Sequence, residues 1–327
     1  TYMKKLAIIG SGLSGLTLAN HLKNKFKVTI FEKARGVGGR LATRRADPYS
    51  FDHGAQYFTA RTEGFRAFIQ PLIDEGSVRR WTARHVEING AKVIKRSIWK
   101  DEEPRYVGVP GMNSIAKHLA QNLDIKTNVR ITELKRQDDW QLEDEQGAVY
   151  EGFEWVISTA PAPQTLQILP RTFKHHDAIK AIHMNGCYSL MLGLSPDFTP
   201  EFEAAHVTNS DISWIAVNSQ KPQRGDAPTL VVHSSAAYAE KHMDTGKETV
   251  IHHLCNLTSQ IIQHDVSQAQ HKVLHGWRYA NNVKRDTHEP FIDHDLKIAT
   301  CGDWCLGGRV EGAFNSARNL IDVIETS

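Results

Sequence analysis

The sequence is short of cysteine, of net charge and of long apolar runs. Its 4 cysteines among 327 residues are too few for a disulfide scaffold, which indicates a reducing compartment. Lysine and arginine total 39 and the acidic residues 37, so the net charge of +2 does not favour a nucleic-acid or anionic-membrane partner. No apolar run approaches the roughly 20 residues of a membrane helix. We therefore expect a cytoplasmic protein without such partners.

Several sequence motifs are missing as well. The 17 histidines show neither HExxH nor another paired-ligand spacing, so we expect no metal site. Cys301 and Cys305 stand in a CxxxC arrangement, for which we expect packing rather than dithiol chemistry. The apolar stretch Leu6–Ile9 is short and runs into a glycine turn, which is not typical of a secretory signal.

The first 32 residues have the pattern of a β-α-β unit. Leu6–Ile9 and Val28–Phe31 are short apolar runs typical of buried parallel strands. Between them lies a predicted helix with apolar positions at Leu13, Leu16, Leu18, Ala19 and Leu22. Glu32 ends the second strand, at the distance from the glycine turn that suits a carboxylate receiving ribose hydroxyls. Lys33 follows it and belongs to the same predicted site.

The turn between the first strand and the helix has the GxGxxG pattern. Its first glycine permits a tight turn, its second lets the backbone approach a pyrophosphate, and its third lets helix and strand pack closely. The start of the helix offers unpaired N–H groups to phosphate oxygens. These positions predict a dinucleotide site at Gly10, Ser11, Gly12, Leu13, Ser14 and Gly15.

A basic, glycine-rich bend follows Glu32. Arg35 and Arg40 flank it, and arginine at such a bend can clamp a pyrophosphate with two hydrogen bonds. Gly39, beside Gly38, removes side chains where the backbone would run against a cofactor. A solvated basic turn is the alternative. Arg44 and Arg45 are less specific, since a solvated face is as good an interpretation as a phosphate contact.

A second fragment near the C-terminus complements the first. A predicted strand at Leu296–Thr300 precedes Asp303, which is placed to bind a ligand sugar or ribityl chain. A glycine-rich helix start follows, and its N–H groups would stabilise negative charge on the N1–C2=O edge of a reduced flavin. The predicted contacts there are Gly308, Arg309, Val310, Glu311 and Ala313. The two fragments together predict FAD. The chain has no second GxGxxG for a separate nicotinamide-dinucleotide domain.

The remaining elements predict an interrupted, two-domain organisation. We expect a discontinuous FAD-binding domain at residues 1–60, 105–165 and 286–327, and a substrate domain at residues 61–104 and 166–285. Predicted helices lie at Phe65–Ile73, after Met112 over Ile115, Leu119 and Leu123, and at Lys247–Gln263. Predicted strands lie at Arg79–Val86, Val93–Ile98, Arg130–Arg136, Trp140–Glu143, Val149–Tyr150, Trp155–Ser158, Tyr188–Leu194, Ile212–Val217 and Thr229–His233.

Seven segments carry a family resemblance: Ala7–Gly15, Phe31–Arg45, Phe51–Arg61, Val109–Met112, Val156–Pro161, Trp277–Ala280 and Gly302–Ala313. With them the chain resembles the flavoprotein amine oxidase-like superfamily. The run Asp52–Phe58 and the segment Trp277–Ala280 resemble more narrowly the renalase family in its bacterial form. The resemblance implies an α/β fold, in which a p-hydroxybenzoate-hydroxylase-like, FAD-binding Rossmann domain carries an inserted substrate domain with an antiparallel sheet.

The resemblance also implies an activity and site residues. It implies non-covalent FAD and oxidation of aberrant dihydronicotinamide isomers of NAD(P)H to NAD(P)+, with electrons passed to oxygen or another acceptor. We expect no general acid or base, because hydride transfer needs orientation and exclusion of water. Gln56, Tyr57 and Thr59 would lie beneath the flavin, Trp277 and Arg278 at its edge and Trp304 nearby, although packing is an equal interpretation for each aromatic residue. Further implied cofactor contacts are Gly54, Ala55, Val129, Ala160 and Pro161.

Two other function classes stay open. A flavin amine oxidase would need an aromatic cage and a lysine at the flavin, and the sequence shows neither clearly. A non-catalytic flavin-binding module would have its pocket filled by side chains. For a dinucleotide substrate, cationic partners of the diphosphate are expected among Arg61, Arg79, Arg84 and Arg278, with ordinary surface arginines as the alternative.

Overall fold

A computed structural model describes residues 3–100, 102–284 and 286–325. These residues form 19 strands and 8 α-helices. The strands are β1 Lys5–Ile9, β2 Lys27–Glu32, β3 Thr43–Ala46, β4 Tyr49–Asp52, β5 Val78–Arg80, β6 Arg84–Asn89, β7 Lys92–Ile98, β8 Tyr106–Gly108, β9 Asp124–Thr127, β10 Ile131–Arg136, β11 Trp140–Asp144, β12 Val149–Ser158, β13 Met184–Gly193, β14 Ala204–Thr208, β15 Ile212–Val217, β16 Thr229–Ser234, β17 His271–Asn282, β18 Phe291–Asp293 and β19 Ile298–Thr300. The helices are α1 Leu13–Leu22, α2 Glu63–Asp74, α3 Asn113–Leu119, α4 Ala162–Ile168, α5 His176–Lys180, α6 Ala236–His242, α7 Lys247–Ile262 and α8 Val310–Glu325.

The first sheet has 8 strands, and β1 lies inside it. The strand order is β10-β11-β12-β1-β2-β9, and β19 pairs with β12 and β18. β1 is parallel to both of its neighbours, β2 and β12. Leu6 and Ile8 pack with residues of α1 and α8, whereas Ala7 and Ile9 pack in the core on the other face. Both faces are therefore covered, which explains the uninterrupted apolar run and confirms the predicted parallel strand.

The second sheet has 7 strands in the order β17-β13-β16-β15-β14-β6-β7. All of its pairs are antiparallel except that of β6 with β14. These two strands are more than 100 residues apart in the chain, so no hairpin sets their relative direction. The α/β fold class with a second, sheet-rich layer is confirmed. The domain boundaries remain a prediction.

Three predicted elements need correction. The prediction of a single strand at Arg79–Val86 is wrong, because the chain changes sheet between Arg80 and Arg84. The first part, β5, pairs with β8, and the second part, β6, pairs with β7 and β14. The two strands at Val149–Tyr150 and Trp155–Ser158 are one strand, β12. The helix predicted to reach Leu123 ends at Leu119. β17 was not predicted, since its 12 residues show neither an apolar run nor a regular alternation of polar and apolar positions.

Among the helices of the described residues, none combines the length and apolarity needed to cross a membrane. The described residues also contain no group of three or more histidine, cysteine, aspartate or glutamate side chains placed to hold a metal ion.

Candidate functional site

One large cleft joins the N-terminal and C-terminal fragments that the sequence relates to one ligand. Its volume is about 1680 Å³, well above the roughly 300–1,000 Å³ of most small-ligand sites. Its lining includes the glycine turn after β1, Glu32 at the end of β2 and Asp303 after β19. Gln56 and Trp277 line another part of it. The cleft therefore has room for a dinucleotide and a second molecule.

Nearly all predicted site residues line this cleft. The exceptions among the cofactor residues are Gly15 and Gly308. Those that line it are Gly10, Ser11, Gly12, Leu13, Ser14, Glu32, Lys33, Arg35, Gly39, Arg40, Gly54, Ala55, Gln56, Tyr57, Val129, Ala160, Pro161, Asp303, Arg309, Val310, Glu311 and Ala313, together with Thr59, Trp277 and Arg278. The structure thus brings them to one place, and their contact with a cofactor remains a prediction.

The glycine turn has the shape of a phosphate cradle. A Cβ at Gly15 would overlap the carbonyl oxygen of Gly10, so glycine is needed for the close packing of α1 on the turn. A Cβ at Gly12 would meet no atom within 4 Å, because this position opens into the cleft. The N-terminus of α1 begins at the next residue and leaves backbone N–H groups for an anion. These residues fit the pyrophosphate of a dinucleotide.

Glu32 fastens the glycine turn to the end of β2. Its Oε2 accepts hydrogen bonds from the backbone N–H of Ser11 at 2.9 Å and from Ser11 Oγ at 2.6 Å. Its Oε1 accepts one from the N–H of Ala34 at 2.8 Å. The residue is buried but still lines the cleft. A carboxylate has about four acceptor sites, so it retains capacity for a ligand hydroxyl.

We expect Glu32→Ala to weaken FAD binding. The change leaves the Ser11 and Ala34 donors without their acceptor and removes the ligand acceptor, at a cost of about 1–3 kcal/mol. Titration of apo-protein with FAD should show this loss. The FAD affinity of Glu32→Gln, which retains one acceptor oxygen, should lie between those of Glu32→Ala and the unaltered protein. Equal FAD affinity of Glu32→Ala and the unaltered protein would contradict the assignment.

Arg40 and Asp303 bind each other. Arg40 Nη1 donates to Asp303 Oδ2 at 3.0 Å and to the carbonyl oxygen of Ala280 at 2.8 Å, and Nη2 contacts Asp303 Oδ1. The pair links the basic bend, the end of β17 and the segment after β19. The sequence predicted separate ligand contacts for Arg40 and Asp303, and the structure adds this direct ion pair between them.

The segment before α8 has a left-handed backbone. Gly307, Gly308 and Arg309 have φ values of +74°, +86° and +77°. A Cβ at Gly308 would also overlap the side-chain amide of Asn281. At Gly312, inside α8, a Cβ would meet only ordinary contacts, the nearest at 3.5 Å. Neither Gly308 nor Gly312 lines the cleft, and the left-handed backbone at Gly308 is what favours a glycine there.

We expect Gly308→Ala to destabilise the protein and Gly312→Ala to leave its stability nearly unchanged. A left-handed non-glycine residue costs roughly 1–2 kcal/mol, and the overlap with Asn281 adds to this cost. Thermal unfolding of the two FAD-loaded variants checks the difference. A lower melting temperature for Gly312→Ala than for Gly308→Ala would refute it.

Glu311 lines the cleft, but its carboxylate is hydrogen-bonded to other protein groups. Its carboxylate accepts hydrogen bonds from the backbone N–H groups of Arg61 and Thr62 and from Thr62 Oγ1. Thr62 is the N-cap of α2, whose helix spans the predicted Phe65–Ile73. Glu311 therefore joins the starts of α2 and α8.

The side-chain amide of Gln56 is fully occupied. Its Nε2 donates to the carbonyl oxygens of Asp52 at 2.6 Å and Gly54 at 3.1 Å. Its Oε1 accepts from Trp214 Nε1 at 3.2 Å and Lys221 Nζ at 3.3 Å. An amide has two donor hydrogens and two acceptor lone pairs. Gln56 therefore forms a fixed wall of the cleft and has no polar group to spare for a ligand.

A buried ion cluster stands behind that wall. Asp52 Oδ2 accepts from Lys221 Nζ at 3.3 Å and from Arg224 Nη2 at 2.7 Å, and all three side chains are 0% exposed. Burial would raise the pKa of Asp52, but the two cations hold it below its usual value. Burial also lowers the pKa of Lys221 to about 8. Sequence reasoning missed this cluster because its members are about 170 residues apart.

Neutral histidines form another wall that the sequence did not reveal. His53 stacks on Trp277 with ring centres 5.3 Å apart, and Trp277 Nε1 donates to the carbonyl oxygen of His53 at 2.8 Å. His275 packs edge-on against His53, and His233 lies beside Gln56. Burial lowers the pKa of His53 to about 3 and those of His233 and His275 to about 4. All three rings are therefore uncharged at neutral pH.

Other predicted residues lie away from the cleft. Cys301, Cys305 and Trp304 are buried beside it without lining it, and Trp304 Nε1 donates to the carbonyl oxygen of Ala160 at 3.1 Å. Arg79 and Arg84, expected as phosphate partners, also do not line it. Cys187 does, although sequence reasoning did not select it. Burial raises the pKa of its thiol to about 12, so it is not a nucleophile at neutral pH.

The charge of the cleft lining is strongly positive. Ten basic side chains line it: Lys33, Arg35, Arg40, Arg44, Arg45, Arg61, Lys117, Arg130, Arg278 and Arg309. Its acidic side chains are Glu32, Asp303 and Glu311, and each of them already binds protein donors. The cleft therefore favours an anionic ligand.

Comparison with protein families gives two matches. A family described as flavin containing amine oxidoreductase matches residues 82–320. A family described as NAD(P)-binding Rossmann-like domain matches residues 8–72, which include the glycine turn and Glu32. The first match covers well over half of the chain.

Curated relatives match shorter stretches. The 1-hydroxycarotenoid 3,4-desaturase of Flavobacterium sp. (strain P99-3) is 39% identical over 87 residues, which are 25% of this chain and 18% of the relative. Prenylcysteine oxidase 1 of Bos taurus is 34% identical over 73 residues, 21% of this chain and 14% of the relative. The matched stretches thus span less than a fifth of either relative.

Solved structures match over the whole chain. A protein of Exiguobacterium sp. 255-15, provisionally named protoporphyrinogen oxidase, has a TM-score of 0.79 at 13% identity and covers 100% of this chain and 99% of its own. A triple mutant of putrescine oxidase has a TM-score of 0.72 at 15% identity and covers 99% of each chain. At such identities these matches show the fold alone.

Proposed function

Because the chain belongs to the family of flavin containing amine oxidoreductases, we propose that it acts as a renalase-like oxidoreductase within that family. FAD is its cofactor, and bound FAD supplies an acceptor for hydride. The proposed substrates are aberrant dihydronicotinamide isomers of NAD(P)H, which are oxidised to NAD(P)+. Oxygen or another acceptor then takes the electrons.

The charge of the cleft supports this substrate class over an amine. A dinucleotide carries a diphosphate, whereas an amine substrate is an ammonium ion at neutral pH. Ten basic side chains line the cleft, and its three carboxylates are engaged with protein donors. Among the described residues, four of the ten cations, Arg40, Arg61, Arg130 and Arg278, pair with carboxylates, which leaves six to attract an anion. An ammonium ion would meet like charge there without a free carboxylate, and a diphosphate would meet opposite charge.

The neutral histidines suit the same reaction. Loss of hydride converts a neutral dihydropyridine ring into a positively charged pyridinium ring. His53, His233 and His275 remain uncharged at neutral pH, so they do not repel that developing charge. The wall formed by Gln56 and the His53–Trp277 stack can orient a planar ring and exclude water. No general acid or base is required.

We propose that FAD is bound without a covalent bond to the protein. Cys187 lines the cleft, but its thiol is protonated at neutral pH, and Cys301 and Cys305 lie off the cleft. We expect a yellow protein that releases all of its flavin when denatured. The measurement is flavin absorbance in the supernatant and in the pellet after precipitation, and flavin retained on the precipitated chain would contradict the proposal.

An amine oxidase activity is the second candidate, and family membership is the observation that favours it. Tyr57, Trp277 and Tyr279 offer aromatic surface to the cleft. Lys221, however, is fully buried, paired with Asp52 and absent from the cleft lining. Anaerobic mixing with dihydronicotinamides and with amines separates the candidates, because bleaching by one group identifies the substrate class. Bleaching by neither would favour a non-catalytic flavin-binding module.

A further inference from the structure

Arg44 has no charged partner although it is half-buried. It lies on β3 and lines the cleft. Within the described residues its guanidinium makes no hydrogen bond or ion pair. Of the four arginines expected to bind substrate phosphates, the two that line the cleft differ in this respect, since Arg61 pairs with Glu103 at 2.6 Å and Arg278 with Asp244 at 3.0 Å. Arg44 is therefore a cation with free donor groups at the cleft.

The surroundings of Arg44 are neutral. Its charge adds to burial in lowering the pKa values of His53, His271 and His275. His53 and His275 line the same cleft. Across the β3–β4 pair, Arg44 lies opposite Phe51, which stacks on His271 with ring centres 5.4 Å apart. None of these neighbours is a carboxylate that could neutralise the guanidinium.

An arginine in such a position is suited to an anion. Its planar guanidinium can donate two parallel hydrogen bonds to a phosphate, and a partly desolvated charge gains more from a partner than an exposed one. The predicted FAD pyrophosphate site is formed by the glycine turn and the start of α1, whereas Arg44 belongs to β3. Arg44 instead lines the cleft together with the histidine and tryptophan wall formed by His53, His275 and Trp277.

We propose that Arg44 binds a phosphate of the dinucleotide substrate and thereby selects nucleotide-bearing dihydronicotinamides over the bare dihydropyridine. This assignment rests on the proposed function for the substrate class. It replaces Arg79 and Arg84, which the structure places away from the cleft. The nicotinamide ring would then lie along the wall formed by His53, His275 and Trp277.

The test compares substrates with and without phosphate. Anaerobic flavin reduction is measured with a wrongly reduced NADH isomer and with the matching isomer of 1-methyl-dihydronicotinamide, which has no phosphate. For Arg44→Gln we expect the half-saturating concentration of the dinucleotide to rise about 10- to 100-fold, as for the loss of a charge-assisted hydrogen bond. The rate constant for the phosphate-free substrate should be unchanged. Arg44→Lys should recover part of the dinucleotide affinity.

Arg84→Gln is the matched control, because it removes the same charge outside the cleft. It should change flavin reduction by neither of the two substrates. An Arg44→Gln variant with unchanged dinucleotide affinity, or with equal losses for both substrates, would overturn the proposal. Calorimetric measurement of ADP-ribose binding distinguishes failure of the Arg44 phosphate site from failure of the proposed reaction. Suppose that Arg44→Gln weakens ADP-ribose binding but no dihydronicotinamide reduces the flavin of the unaltered protein. That result would support the anion site and reject the proposed reaction.

Discussion

Anaerobic mixing with NAD(P)H isomers reduced at the wrong ring carbon should bleach the flavin within the stopped-flow time range. Normal 4-dihydro NADH should react little, because its transferable hydrogen is on a different carbon of a ring held in the same orientation. The fixed Gln56 amide and the His53–Trp277 stack supply the rigidity for this discrimination. A displacement of about 1 Å at a reacting centre can cost about 100-fold in rate, so we expect at least that ratio between isomers.

NAD+ should act as a weak product inhibitor in the same experiment. It is the oxidised product, and its diphosphate is attracted by the basic lining of the cleft. Benzylamine and phenethylamine should not bleach the flavin. Fast reduction by these amines, with no response to any dihydronicotinamide, would assign the protein to the amine oxidases instead.

Asp52→Ala should cause the largest loss of stability, about 3–5 kcal/mol. The change leaves Lys221 and Arg224 buried with like charges and without their common carboxylate. It also removes the acceptor for Thr43 Oγ1 and for the N–H of Met112, so the connections to β3 and α3 are lost. Denaturant unfolding measured by circular dichroism checks the value, and Asp177→Ala, at a fully exposed carboxylate, is the control.

A second variant, Lys221→Met, tests the same cluster. Lys221→Met removes one buried cation and leaves the Asp52–Arg224 pair intact. This variant should lose less stability than Asp52→Ala and should loosen Gln56, whose Oε1 accepts from Lys221. A stability of Asp52→Ala within 1 kcal/mol of the unaltered protein would refute the interpretation of the cluster.

Local pattern was sufficient for the cofactor half of the site. The β-α-β unit, the glycine turn, Glu32 and the segment around Asp303 depend on short-range spacing, and short spacing directly limits backbone geometry. The structure brings these segments to one cleft because β1, β2, β12 and β19 are neighbouring parallel strands of one sheet. A buried parallel sheet also requires uninterrupted apolar strands, which the sequence shows plainly.

The substrate half of the site depended on the tertiary structure. β17 carries His275 and Trp277 in a strand without an apolar run or a regular alternation, and its pairing with β13 is what brings them to His53. Asp52 meets Lys221 and Arg224 only because the chain returns after about 170 residues. Burial keeps His53, His233 and His275 neutral, and ion pairing decides which cleft arginines are free. Sequence spacing determines contacts between near neighbours, whereas burial and charge pairing arise from elements that meet only after folding.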